Sequence, residues 1–234
     1  MQSENYNEYS GLEELLHSEA MPNYNHFIVK TAKNAFGEPN QLIDFGAGIG
    51  TLSLIFREKY NINPLCVEID KKNQEYLSQR KFQFFENLTS APNNSDAIFS
   101  SNVLEHIEDD VSILKIMRDQ LKNGGRLYLY LPAKMLLWSK LDEVVGHYRR
   151  YEISELRDKC EEAGFKIIKI HYADSAGFFA SLLMKFLGYN PNNGIGSVES
   201  MKFYDKYLFP VSSFLDRLGF RYLLGKNIVL IAEK

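Results

Sequence analysis

The 234-residue chain predicts a single α/β domain built on a doubly wound, mostly parallel sheet, and three observations carry that expectation. Short apolar runs alternate with helical segments from about residue 25 to residue 172, the pattern of parallel βαβ units with right-handed crossovers. One such run, Leu42-Ile43-Asp44-Phe45, ends in Gly46-Ala47-Gly48-Ile49-Gly50 and opens into a helix-forming segment. With 45% hydrophobic residues, the chain has enough apolar content for one sizeable core and is short for two independent domains.

Each element follows from local pattern. Phe27, Ile28, Thr31, Ala32 and Ala35 fall at helical spacing over Asn25 to Ala35, and Gly37-Glu38-Pro39 stops that helix. The glycine strand follows, then a helix to about Tyr60 on Leu52, Leu54, Ile55 and Phe56. Pro64 to Glu68 reads as the second strand, and Asp70 caps a helix over Lys71 to Gln79. Phe82 to Glu86 is the third strand, Ala91 to Ser95 a loop, and Asp96 to Ser101 the fourth strand. A helix from Asp109 to Leu121 ends at Asn123-Gly124-Gly125 in a left-handed cap. Arg126 to Leu131, apolar after its arginine, is a strand buried on both faces. A helix over Ser154 to Ala163 stops at Gly164, Lys166 to Tyr172 makes the sixth strand, and Asn227 to Glu233 the last.

Between the last two strands, Asp174 to Lys226 forms an insertion of about fifty residues, long enough to expect a role. It holds two apolar helical segments, Ala176 to Leu187 and about Glu199 to Leu218, the second interrupted by Pro210. The plain expectation is an extension of the core; a substrate lid, a dimer surface and an interfacial membrane contact stand beside it. Phe178, Phe179, Leu182, Leu183 and Phe186 give the first segment a broad apolar face with little Lys or Arg opposite, which argues against a basic membrane helix.

The glycine turn is a small-molecule cradle. Glycine supplies positive φ and removes the Cβ that would block a ligand, while the following helix offers free N–H groups. A dinucleotide fingerprint, G-x-G-x-x-G, needs glycine at position 51, where the chain has Thr51. Eighteen residues past Gly50, Glu68 ends the second strand, where a carboxylate can take both hydroxyls of a ribose.

The pattern Asp44-x-Gly46-x-Gly48-x-Gly50 resembles the first motif of the class I S-adenosylmethionine-dependent methyltransferases. Val103-Leu104-Glu105-His106 after strand four, and Leu121 to Gly125 before strand five, resemble further signatures of that superfamily, so the likeness spans about Leu42 to Phe165. It implies a Rossmann-like seven-stranded sheet of order 3-2-1-4-5-7-6, its last two strands an antiparallel hairpin interrupted here by the insertion. It also implies S-adenosylmethionine as donor and S-adenosylhomocysteine as product. By position, Asp44, Gly46, Gly48 and Gly50 would line the methionine and ribose, Glu68 would hold the ribose, and Ile69 would flank the adenine. Glu86, Asn87 and Leu88 would meet the adenine edge, Ser101 and Asn102 the methionyl end, and Tyr24 would fold over the cofactor carboxylate.

His106 is the candidate general base, since an ordinary imidazole takes a proton near neutral pH; Glu105 and His147 complete the catalytic set. Some relatives bind a divalent metal through E-x-x-E-H and a later histidine; Glu105, His106 and His147 match, but Asn102, a weaker ligand, replaces the first glutamate, so a divalent metal is a minor option and no metal site is assigned. Arg149 and Arg150, between Tyr148 and Tyr151, suit an anionic group on the acceptor or, equally, ion pairs with Asp142, Glu143 or Glu152. The run Gly146-His147-Tyr148-Arg149-Arg150-Tyr151 resembles bacterial methyltransferases associated with glycans, glycolipids or lipid-linked intermediates. The expectation is therefore an oxygen methyltransferase with a small-molecule, glycan or lipid-linked acceptor. An NAD-dependent oxidoreductase and a non-catalytic cofactor-binding module are the alternatives.

The net charge of −3 disfavours bulk nucleic-acid binding. Two cysteines, Cys66 and Cys160, make no disulfide framework; Met1 to Ala20 carries five glutamates and is no targeting peptide; no segment is long enough to span a membrane. A cytoplasmic protein, with a homodimer as an option, is expected.

Overall fold

A computed structural model of the chain describes residues 12–187 and 197–234. Its centre is one seven-stranded sheet in the order β3-β2-β1-β4-β5-β7-β6, the expected order. The strands are β1 (Leu42–Phe45), β2 (Leu65–Val67), β3 (Phe84–Phe85), β4 (Ser95–Ser101), β5 (Leu121–Pro132), β6 (Lys166–Ala173) and β7 (Asn227–Glu233). Strands β1 to β5 pair in parallel, and β7 runs antiparallel between β5 and β6.

Helices cover both faces. The period-2 alternation of β5 divides the core: Leu127, Leu129 and Leu131 point to one face, with Leu114 and Met117 of α5 (Asp110–Gln120) and Leu156 and Cys160 of α7 (Ile153–Glu162). Tyr128 and Tyr130 point to the other, against Ile28 and Val29 of α2 (Pro22–Phe36) and Phe56 of α3 (Thr51–Tyr60). The tyrosines are fully buried because their hydroxyls are satisfied, Tyr128 by Thr31 at 2.6 Å and Tyr130 by Asn227 at 3.0 Å.

Three boundaries move for stated reasons. Helix α2 starts at Pro22, whose fixed φ and missing N–H suit a first turn. Helix α5 ends at Gln120 rather than at the glycines: Leu121 is already extended and buried, and Gly124, at φ +74°, lies inside β5, where the register with β4 shifts. Phe82 leaves the third strand for a small core with Leu77 and Cys66. An unexpected short helix, α1 (Leu12–Ser18), precedes α2.

The insertion is helical: α8 (Ser175–Leu187), α9 (Val198–Phe203) and α10 (Phe209–Arg217). Pro210 does not interrupt the second segment. A π-turn over Tyr204–Leu208 joins α9 to α10, with the Phe209 amide donating to Tyr204 O, so the ring is accommodated without a break. Phe209 is buried among Tyr24, Phe27 and the α2 core, so the insertion does extend the core. No helix of the described residues is long and apolar enough to cross a membrane.

Candidate active site

At the carboxyl end of β1 the chain turns through Gly46, Gly48 and Gly50 at φ +75°, +54° and +82°, a region that costs other residues about 1–2 kcal/mol. The turn is also gripped on three sides. A Cβ on Gly46 would lie 2.2 Å from Val103 Cγ2, one on Gly50 2.8 Å from Leu77, and one on Gly48 3.1 Å from Leu15 of α1. The Gly46 and Ala47 amides donate to Val67 O, tying the turn to β2. Glu68, next after β2, accepts from the Gly48 amide at 2.7 Å and the Asp70 amide at 2.8 Å, and its oxygens keep lone pairs for further donors. Ile69 stands 81% exposed beside it. Helix α3 starts at Thr51, and Gly50 at its N-cap brings no side chain to cap it. This is the crevice at the switch point between β1 and β4, where open α/β sheets bind ligands; Glu68, Ile69 and the Cβ-free glycines are the residues that would hold an adenosine there.

The other residues expected at the cofactor divide. Asp44 lies beneath the turn, its carboxylate accepting from Ser53 Oγ at 2.6 Å; burial, with Glu68 nearby, pushes it up to about 7. It braces the cradle rather than lining it. Tyr24 departs from its expected place: it is a core residue packed on Tyr130 and Phe209, its hydroxyl accepting from Asn227 at 2.9 Å. Leu88 is buried in the core, Asn87 caps the turn that follows by accepting from Ser90 N, and exposed Glu86 pairs with Lys71. Ser101 ends β4, the strand beside β1, and Asn102 follows it, exposed and at φ +54°.

The catalytic candidates come together. A 3₁₀ turn over Leu104–His106 after β4 sets Glu105 inside and His106 outside, and the loop after α6 (Lys140–Val144) brings His147 beside them. The two imidazoles stand edge to face with centroids 4.6 Å apart. His147 Nδ1 lies 2.8 Å from Asp142 Oδ1, and its Nε2 lies 3.8 Å from Glu105 Oε1. Burial opposes ionisation of Asp142, but hydrogen bonds from His147 and Arg150 prevail and bring its carboxyl down to about 2. Glu105 is fully buried with neither oxygen hydrogen-bonded, and burial pushes it up to about 8. Burial and the neighbouring His147 push His106 down to about 4, so it is neutral at physiological pH.

Glu105, His106 and His147 offer one atom each within 4.8 Å of one another, the only such group among the described residues. One carboxylate and two imidazoles, one of them braced by Asp142, form a donor set that fits a divalent cation. Asn102 is not part of that group. The arginine pair is committed elsewhere: Arg150 grips Asp142 with Nε at 2.7 Å and Nη2 at 3.1 Å, and Arg149 pairs with Asp110 at 2.8 Å. The expected anionic group on the acceptor loses its main support.

Several site residues escaped the sequence reading. Leu15 and Glu19 arrive from the α1 end, where Glu19 bonds Thr51 Oγ1 at 2.9 Å and Arg80 at 2.8 Å. Asp142 was expected only as one of three partners for the arginines; its brace on His147 was not, since the Ser139-x-x-Asp142 capping box speaks of a helix start.

A family model described as a methyltransferase domain matches residues 17–170. No curated protein matches the chain. Among solved structures, an S-adenosylmethionine-dependent methyltransferase from Archaeoglobus fulgidus is similar at 18% identity and TM-score 0.60, over 94% of this chain and 99% of that one. A Thermotoga maritima methyltransferase described as a possible histamine N-methyltransferase aligns at 15% identity and TM-score 0.60, over 95% and 94%. Phosphoethanolamine N-methyltransferase 2 of Haemonchus contortus, in complex with S-adenosyl-L-methionine, aligns at 17% identity and TM-score 0.58, over 91% of this chain and 52% of that one. At these identities the structures speak for the fold, and the domain match over two thirds of the sequence speaks for the family: this chain belongs to the methyltransferase-domain family.

Proposed function

We propose that the enzyme methylates a hydroxyl of a small-molecule or lipid-linked acceptor, with S-adenosylmethionine as donor and His147 as proton acceptor. The observation that carries this reading is the Asp142–His147 pair beside Glu105 and His106, at the carboxyl edge next to the glycine crevice. When bound, the donor supplies a methyl group already activated by its sulfonium charge. The Gly46–Gly50 turn and Glu68 would hold it, leaving alignment of the acceptor as the main task of the chain.

His147 donates an Nδ1–H hydrogen bond to Asp142, a tautomer that leaves Nε2 unprotonated to receive the hydroxyl proton. Asp142, ionised at any physiological pH, then steadies the imidazolium. This shifts the base from His106, first in line by sequence, to His147, because burial makes the His106 imidazole a poor proton acceptor while Asp142 orients His147.

The test pairs turnover with donor binding. His147→Ala should lower methyl transfer to a hydroxyl acceptor by about 100-fold or more, while calorimetry finds S-adenosylmethionine affinity unchanged. An unaltered rate removes His147 from the chemistry.

A second reading has one specific support, the two bare oxygens of buried Glu105. In it, Glu105, His106 and His147 hold a divalent cation that polarises the acceptor oxygen. Titration of chelator-treated protein with manganese separates the two: one bound ion, lost in Glu105→Gln, favours the cation, and no binding favours the metal-free pair.

A further inference from the structure

Twelve of the nineteen large hydrophobic side chains that stand exposed among the described residues fall within 174–226, a concentration that single scattered exposures do not produce. They are ordered as well. Phe179, Leu183 and Phe186 recur at helical spacing along α8, and Tyr207, Val211, Phe214 and Leu218 along the π-turn, α10 and its end, each more than half exposed. Helices α8 and α10 are joined through polar inner faces, where the Ala176 amide donates to Ser212 Oγ and the Asp174 and Ser175 amides to Asp216. The two apolar stripes are therefore the outer surface of a packed pair.

The charges around them are one-sided. Of the four acids between 174 and 226, Asp174, Asp205 and Asp216 are buried and accept hydrogen bonds from amides and hydroxyls, which leaves Glu199 alone outside. Lys185, Lys202, Lys206 and Arg217 are exposed, and none has an ion pair among the described residues. The first apolar segment by itself lacks a basic face; its neighbour supplies one. The surface also reaches the candidate active site: Lys185 Nζ donates to Leu136 O at 2.8 Å, Met135 and Leu136 are half-exposed or more, and Met135 Sδ accepts from the Arg150 amide.

We propose that this face seats the protein on an anionic lipid surface, its aromatic and aliphatic stripes in the headgroup boundary and its lysines and Arg217 against lipid phosphates. A second copy of the chain is the poorer occupant, because a self-complementary contact would set one basic rim against the other. The bound orientation would turn the Met135–Leu136 edge, and with it the Glu105–His147 corner, toward the bilayer.

Vesicle flotation of the whole protein tests this, with phosphatidylcholine alone and with added phosphatidylglycerol, at low and high salt. Wild-type protein should float with the anionic vesicles, release at high salt, and ignore phosphatidylcholine. Lys202→Ala/Lys206→Ala should weaken partitioning by about tenfold or more. Phe179→Ser/Phe186→Ser should abolish it with the thermal midpoint and S-adenosylmethionine binding unchanged, since both rings are exposed; this keeps the lipid question apart from the donor reading. Wild-type protein that stays with the solution, flotation indifferent to lipid charge or to the phenylalanines, or a dimer that Phe186→Ser splits would overturn the proposal.

Discussion

Gly46→Ala is the sharpest probe of the cradle, because two separable costs fall on one methyl group. At φ +75° an alanine bears the left-handed penalty of about 1–2 kcal/mol. Its Cβ would also sit 2.2 Å from Val103 Cγ2 and 2.8 Å from Cγ1, and Val103, stiff at χ1, cannot turn both methyls away, so overpacking adds about 1–3 kcal/mol. The total, about 2–5 kcal/mol, is a large share of an ordinary domain's stability. Urea denaturation reads the loss directly, and calorimetric titration with S-adenosylmethionine should show binding weakened in parallel. Val103→Ala in the same chain removes the colliding methyls, although Val103 Cβ remains 3.1 Å away, so the double variant should recover the steric part and keep the backbone part. If Gly46→Ala costs under about 0.5 kcal/mol and leaves donor affinity within twofold, or if Val103→Ala fails to relieve it, the gripped-turn argument is wrong.

Other expectations follow from the same geometry. Asp142→Asn leaves the buried Arg150 guanidinium without its carboxylate and should destabilise by about 3–5 kcal/mol in urea, with turnover reduced and its pH profile altered as the His147 brace goes. Asp44 titrates near 7 when folded against about 3.8 unfolded; the native state holds the extra proton between those values, so stability falls as pH rises from 4 to 7. Asp44→Asn should remove that slope, worth on the order of 4 kcal/mol at most, and an unchanged pH dependence of the urea midpoint would count against a buried, proton-holding Asp44. Glu19→Ala, which frees Thr51 and Arg80 from the α1 end, should weaken donor affinity by a few fold with turnover at saturation intact; a loss of turnover alone would place Glu19 in another role.

Legibility in the sequence tracked the range of the interactions involved. The strands and longer helices from Leu42 to Tyr172, though not short α6, were readable because strand runs, caps and glycine stops are local, and the mutual placement of the glycine turn and Glu68 followed from a parallel crossover whose hand is set by chain chirality. The misread boundaries were tertiary choices: Leu121 became strand because the core takes its side chain, and Phe82 left its strand to fill a pocket against Leu77. Chain order alone determined a nucleotide-type cradle at Gly46–Gly50 and a histidine corner after β4. Only the packed structure decided that Tyr24 is core, that Arg149 and Arg150 hold Asp110 and Asp142 in place of a substrate, and that His147 rather than His106 has a carboxylate behind it. The reason is physical: a residue type states which bonds a side chain can make, while desolvation and partner geometry, which exist only once distant segments meet, select the one it makes.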